Sequence, residues 1–122
     1  MRVLIVDDEP VIRSLVAAVL MDAGYEVAVA CDGEQALRAA RELLPGLVLL
    51  DLGLPGLSGW DVLEALRRCP EHYRTPVIVL SGLLADDERG RARSLAADTL
   101  AKPFTPAALL HAVQGALLAA AA

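Results

Sequence analysis

Four apolar runs in this chain each stop on a polar group, and that recurrence limits the fold more than any single motif. The plainest is Val48-Leu49-Leu50, which ends on Asp51 and gives way to the turn-forming stretch Leu52-Gly53-Leu54-Pro55-Gly56-Leu57-Ser58-Gly59. An unbroken apolar run of this kind fits a strand buried on both faces, as found inside parallel sheets. Arg2–Val6 ends on Asp7-Asp8, Pro76–Leu80 ends on Ser81-Gly82, and Thr99–Ala101 ends on Lys102-Pro103. In open α/β sheets, ligands and chemistry gather just beyond the carboxyl ends of the strands. Laid parallel in one sheet, these four runs bring carboxylates, a hydroxyl and an ammonium to one edge.

Between the runs the apolar spacing turns helical, which predicts repeated βαβ units and a doubly wound, mostly parallel sheet. Tyr25–Val29 supplies a further strand. A first helix opens near Pro10, a residue suited to a first helical turn, and ends at Asp22-Ala23-Gly24. Its apolar stripe is Val11, Ile12, Leu15, Val16, Val19 and Leu20. Asp32 caps a second helix with Gln35 in a box-like position; Ala36, Leu37, Ala40 and Leu44 face inward, and Pro45-Gly46 stops it. A third helix runs from about Gly59 to Arg68, with Val62, Leu63 and Leu66 inward and a Glu64–Arg68 pair outside. Thr105-Pro106 opens the last helix, whose buried face is Leu109, Leu110, Val113 and Leu117. The helix around Asp86–Arg93 differs. Acids first and arginines last complement its dipole, and Asp87 can pair with Arg91. Yet Gly90 costs about 1 kcal/mol relative to alanine, and few large side chains anchor the segment. Weak docking beside Ser81 is expected.

Clustered carboxylates repel one another, so a site with Asp7, Asp8 and Asp51 calls for a hard cation. Oxygen ligands, water and a phosphate partner are what Mg²⁺ requires. Lys102 and Ser81 then neutralise and hydrogen-bond a phosphoryl group attached to Asp51. Aspartyl-phosphate chemistry uses every one of these groups. Asp8, just before Glu9-Pro10, also reads as a helix cap.

At 122 residues the chain is long enough for one domain, 1–122, with a substantial core. A net charge of −5 argues against direct nucleic-acid binding, where a basic patch is expected. Met1-Arg2 leads straight into a strand, and no apolar run reaches the roughly 18 residues of a membrane span, so a cytoplasmic protein without membrane contact is expected. Cys31 and Cys69 match neither a metal spacing nor a short disulfide motif and read as reduced structural thiols.

Over about residues 2 to 118 the chain resembles a response-regulator receiver domain of two-component signalling, of the single-domain, chemotaxis-regulator-like kind. The resemblance is carried by Asp7-Asp8, by Asp51 within Asp-x-x-x-Pro-x-x-x-Gly, by Ser81 and by Lys102-Pro103. It implies a (βα)₅ flavodoxin-like fold with a five-stranded parallel sheet. It implies Asp51 as phosphoacceptor, supplied by a histidine kinase or histidine phosphotransfer protein, in a signalling switch rather than an enzyme. Asp7, Asp8, Asp51 and the backbone carbonyl of Gly53 would hold Mg²⁺, Lys102 would contact the phosphoryl oxygens, and Ser81 would fill the Ser/Thr switch position. The Lys102-Pro103 bond is a candidate cis peptide. Receivers usually carry Tyr or Phe where this chain has Thr99, a side chain where it has Gly53, and a smaller or more polar residue than Leu83. Its last helix has none of the arginines with which receivers of winged-helix transcription factors dimerise. The competing class is a Mg²⁺-dependent phosphohydrolase of haloacid-dehalogenase type, which places its nucleophile on the first strand in an Asp-x-Asp pattern. Here that strand offers Asp7-Asp8-Glu9, and no cap segment shapes a substrate pocket.

Overall fold

The predicted alternation is what the computed structural model shows over the residues it describes, 1–82 and 86–121. Strands β1 (Arg2–Val6), β2 (Glu26–Ala30), β3 (Leu47–Asp51), β4 (Val77–Ser81) and β5 (Asp98–Ala101) alternate with helices α1 (Pro10–Asp22), α2 (Gly33–Leu43), α3 (Gly59–Arg68), α4 (Asp86–Ser94) and α5 (Pro106–Ala121). The strands form one sheet in the order β2-β1-β3-β4-β5, and every pairing is parallel.

The two faces of the sheet are covered by different helices. On one side Val3, Ile5, Leu47, Leu49, Ile78 and Leu80 pack beneath α1 and α5 through Val16, Leu20, Leu109 and Val113. On the other, Leu4, Val6, Val48, Leu50, Val77 and Val79 meet α2, α3 and α4 through Ala36, Ala40, Val62, Leu63, Leu66 and Ala92. Alternate residues of each central strand thus serve opposite cores. All five residues of β3 are buried, which is why its sequence shows no polar alternation.

Register carries the strand ends to a common edge. Val6 pairs with Leu50, Asp51 with Leu80, and Ser81 with Ala101. Asp7, Asp51, Ser81 and Lys102 therefore lie within about one residue of the same level. The order of strands reverses direction between β1 and β3, and such a switch point is where open α/β sheets place their sites.

Several local expectations are corrected. Val11 is 71% exposed and Leu15 is also exposed, so the buried stripe of α1 narrows to Val16 and Leu20. Leu44 does not face inward. It is 58% exposed and caps α2 in the left-handed conformation at φ 46°, turning the chain just before Pro45-Gly46. Gln35 is displaced by one residue from the expected box: the Asp32 side chain accepts from the Gln35 N–H at 2.8 Å, while Gln35 Oε1 accepts from the Cys31 N–H at 3.1 Å. Glu64 and Arg91 each leave the partner expected within their own helix and meet each other, at 2.8 Å across α3 and α4. Strands β2 and β4 each begin and end one residue later than expected.

Candidate functional site

The site begins where β1 ends. The Asp7 N–H donates to the Ala30 carbonyl at 3.2 Å, and its carboxylate Oδ1 accepts from the Glu9 N–H at 2.9 Å. Arg13, one turn into α1, donates through Nη1 to the Asp7 carbonyl oxygen at 2.9 Å. The Asp7 side chain is 1% exposed as a residue, and these bonds fix it facing the sheet edge. Glu9, not Asp8, is the N-cap residue of α1, and no side-chain bond caps it. The capping role expected for Asp8 is therefore not found. Asp8 is exposed, and it joins Asp7 and Asp51 in a group whose carboxylate oxygens lie within 4.8 Å of one another.

Asp51 closes β3 and is 6% exposed. The Gly53 N–H donates to its Oδ1 at 3.1 Å, and the Leu52 N–H continues the ladder to the Leu80 carbonyl at 3.1 Å. The loop that follows is closed by a capping box between Ser58 and Asp61. Gly59 then brings α3 against the back of the site. A Cβ there would lie 2.5 Å from the Asp51 carbonyl oxygen and 2.7 Å from Leu52 Cα.

Lys102 reaches the carboxylates from the far side of β4. Its backbone N–H donates to the Ser81 carbonyl at 2.8 Å, and its Nζ stands 3.3 Å from Asp7 Oδ2 and 3.4 Å from Asp51 Oδ2. The peptide bond to Pro103 is cis, as the sequence suggested. Burial by itself lowers the lysine pKa; the charges of Asp51 and Asp7, with the hydrogen bonds to both, outweigh it and hold the group above its ordinary value. One ammonium contacts two of the three grouped carboxylates, so the pocket keeps a negative excess. Two of the three are buried, where an uncompensated charge is costly.

Ser81, half-buried, ends β4 at the same edge. Thr99 lies two residues before Ala101, paired with Val79 and partly buried, with no ring in this part of β5. Leu83 lies outside the described residues. The structure thus brings together Asp7, Asp8, Asp51, Lys102, Gly53 and Ser81. Sequence reasoning missed Arg13, whose target is a backbone carbonyl and so leaves no side-chain pattern to detect. It also missed the Trp60–Arg91 contact, because nothing local links the residues. Beside Lys102 an apolar groove of about 470 Å³ opens between α1 and the start of α5, walled by Ile12, Val16, Phe104 and Leu109.

The comparisons with known proteins agree with this geometry. Residues 3–114 match the response regulator receiver domain family. The DNA-binding response regulator MtrA of Mycolicibacterium smegmatis is 42% identical over 118 residues, which is 95% of this chain and 50% of that protein. The transcriptional regulatory protein KdpE of Mycobacterium tuberculosis is 45% identical over 103 residues, 84% of this chain and 44% of that one. The chain spans about half the length of these curated relatives. Among solved structures, the chemotaxis protein CheY4 of Vibrio cholerae superposes with a TM-score of 0.91 at 33% identity, covering 95% of this chain and 98% of that one. The haloacid-dehalogenase alternative finds no support, since the matches are to receivers. With its (βα)₅ fold, strand-end acids and family match in agreement, the chain belongs to the response regulator receiver domain family of two-component signalling.

Proposed function

We propose that Asp51 is the phosphoacceptor of this receiver and that the whole chain, 1–122, works as one such domain. Receiver domains are signalling switches, and response regulators interact with histidine kinases and output partners. The observation that carries the reading is the placement of Asp51: a nearly buried carboxylate at a strand end, 3.4 Å from Lys102 and grouped with two further aspartates. A buried nucleophilic carboxylate flanked by a fixed cation is suited to covalent phosphoryl transfer.

In the transfer, a carboxylate oxygen of Asp51 forms a new O–P bond as the nitrogen–phosphorus bond of a phosphohistidine donor breaks. The electron pair of that bond stays on the donor nitrogen. Lys102, already between Asp7 and Asp51, then neutralises the phosphoryl oxygens. The Ser81 hydroxyl donates to one of them and couples the end of β4 to the phosphorylated state. The Gly53 N–H holds Asp51 Oδ1 in place before transfer.

The three carboxylates fit a hard divalent cation, because their oxygens converge within 4.8 Å and one lysine leaves them under-compensated. Asp7, Asp8 and Asp51, with the Gly53 carbonyl, would hold Mg²⁺, which when bound supplies charge neutralisation to the carboxylates and the incoming phosphoryl group. The donor is a histidine kinase or histidine phosphotransfer protein, and the switched face serves a separate output protein or domain. The net charge of −5 favours protein rather than nucleic-acid contacts for this domain. Among the described residues no helix is long and apolar enough to cross a membrane, and a cytoplasmic setting suits the proposed donors.

Incubation with a small acyl-phosphate donor and Mg²⁺ is the test. Intact-mass measurement should show one added phosphoryl group, stable in acid and labile in base. Asp51→Asn should not acquire it. Labelling of that variant at the wild-type level would overturn the assignment.

A further inference from the structure

Helix α4 is fastened to α3 by two arginines more than by apolar packing. α4 contributes one buried side chain, Ala92, and its other described residues are largely charged. From α3, Arg67 extends beneath the far end of α4. It donates to the Leu95 and Ala96 carbonyls at 2.7 and 3.3 Å, and to the His72 and Thr75 carbonyls at 2.9 and 2.8 Å. From α4, Arg91 extends back. Its guanidinium carbon lies 4.6 Å from the centre of the Trp60 ring, and its Nη2 lies 2.8 Å from Glu64 Oε1.

The two attachments differ in kind. Arg67 grips backbone carbonyls of two loops at once, so it can be lost only by leaving several of them without a donor. The Arg91 guanidinium reaches α3 through the side chains of Trp60 and Glu64, and the side chains of Arg91 and Glu64 are 48% and 35% exposed. A cation–π contact and an ion pair at such exposure are individually weak. The first attachment is the firmer and the second the more easily released.

Trp60 ties the releasable contact to Asp51. It follows Gly59, whose N–H faces the Leu52 carbonyl at 3.4 Å and where a Cβ would lie 2.5 Å from the Asp51 carbonyl oxygen. The first turn of α3 thus packs directly on the Asp51 backbone. The Trp60 ring, packed against the core cluster under α3, moves with that turn.

We propose that Arg91 is a latch on α4: seated on Trp60 and Glu64 it holds α4 against α3, and phosphorylation of Asp51 displaces Trp60 and releases it. The proposal rests on the phosphoacceptor reading given above. It defines a route from Asp51 to the output face through α3 that does not pass through Thr99.

The experiment is amide hydrogen exchange of α4, with intact mass and Trp60 emission recorded on the same samples, before and during treatment with an acyl-phosphate donor and Mg²⁺. Trp60 is the chain's one tryptophan, so its emission is unambiguous. In the wild type, phosphorylation should speed α4 exchange about two- to fivefold, the factor expected for losing one exposed contact of this kind, and shift the emission. Arg91→Gln should show the faster exchange before phosphorylation and little further change on it, while still taking up one phosphoryl group. Glu64→Gln, which keeps the ring contact, should fall between. If the wild type is fully phosphorylated with α4 exchange and emission unchanged, the latch is overturned and the phosphoacceptor reading stands. Equal exchange in wild type and Arg91→Gln before phosphorylation would also overturn the latch. If the wild type takes up no phosphoryl group, the receiver chemistry and the latch fall together.

Discussion

The Lys102 ammonium stands 3.4 Å from Asp51 Oδ2 although β4 lies between β3, which ends on Asp51, and β5, which Lys102 directly follows. The lysine stem spans that width because the Lys102 N–H is bonded to the Ser81 carbonyl, which sets its starting point. The pairing has a pH signature. Burial would lower the lysine pKa, but Asp51 and Asp7 hold it above the ordinary value of 10.5. A group whose folded pKa is raised stabilises fully below its unfolded pKa and loses that contribution as pH climbs through the folded one. Lys102→Met should therefore be less stable than wild type by a margin that is constant through neutral pH. The margin should shrink only above 10.5. Denaturant titrations at a series of alkaline pH values measure it, and a margin that vanished near neutrality would mean that the pair is not what holds the lysine.

Gly59 and Gly53 flank the same aspartate and should respond oppositely to an added methyl group. A Cβ on Gly59 meets backbone at 2.5 and 2.7 Å, whereas one on Gly53 meets only Asp51 Oδ1, at an ordinary 3.8 Å. Backbone cannot step aside as a side chain can, so Gly59→Ala should destabilise by about 1–3 kcal/mol, the usual range for overpacking. It should also slow phosphoryl uptake by displacing Asp51. Gly53→Ala should melt within a degree or so of wild type. Parallel thermal melts and labelling time courses separate the two, and equal behaviour would show that α3 does not press on Asp51 in solution.

Thr99 should be tolerant in chemistry. It lies on β5 opposite Val79, two residues below the end of the strand where Ser81 pairs with Ala101. Thr99→Tyr should leave labelling of Asp51 intact, because β4 lies between the strand that carries Thr99 and the one that carries Asp51. Lys102→Ala should instead impair the conformational response of the phosphorylated protein, read as the change in Trp60 emission. Loss of labelling in Thr99→Tyr would place that residue in the chemistry.

The strands and the site acids were legible because both are written locally. A run buried on both faces must be apolar throughout, as β3 is, and a strand that ends on Asp51 shows its site residue in the next letter. The pairings across helices were not legible. Arg91 has an acid at the right helical spacing in Asp87, yet Trp60 and Glu64 on α3 offer a ring and a carboxylate together. Leu15 and Val11 carry a helical apolar period with no indication that the facing surface stays uncovered. Asp8 had two local readings, cap and ligand, and only the position of Asp51 in space favours the second.

Mg²⁺ should stabilise this protein, and Asp51 should be why. The carboxylates of Asp7, Asp8 and Asp51 converge within 4.8 Å, with Lys102 bonded to two of them. In the unfolded chain Asp51 is far from the adjacent Asp7-Asp8 pair, so folding without metal brings together a negative excess that the single ammonium does not cancel. A cation that binds the assembled cluster and not the unfolded chain stabilises by mass action, by about 1.4 kcal/mol at roughly ten times its dissociation constant. Asp51→Asn leaves two carboxylates facing one ammonium, nearer to balance, and its amide oxygen can still accept from the Gly53 N–H. The variant should therefore have a higher metal-free midpoint than wild type and a smaller response to Mg²⁺. Four melting curves decide it: wild type and Asp51→Asn, each with Mg²⁺ and with chelator. A Mg²⁺ shift absent from both proteins, or equal in both, would mean that Asp51 does not belong to a metal-binding pocket.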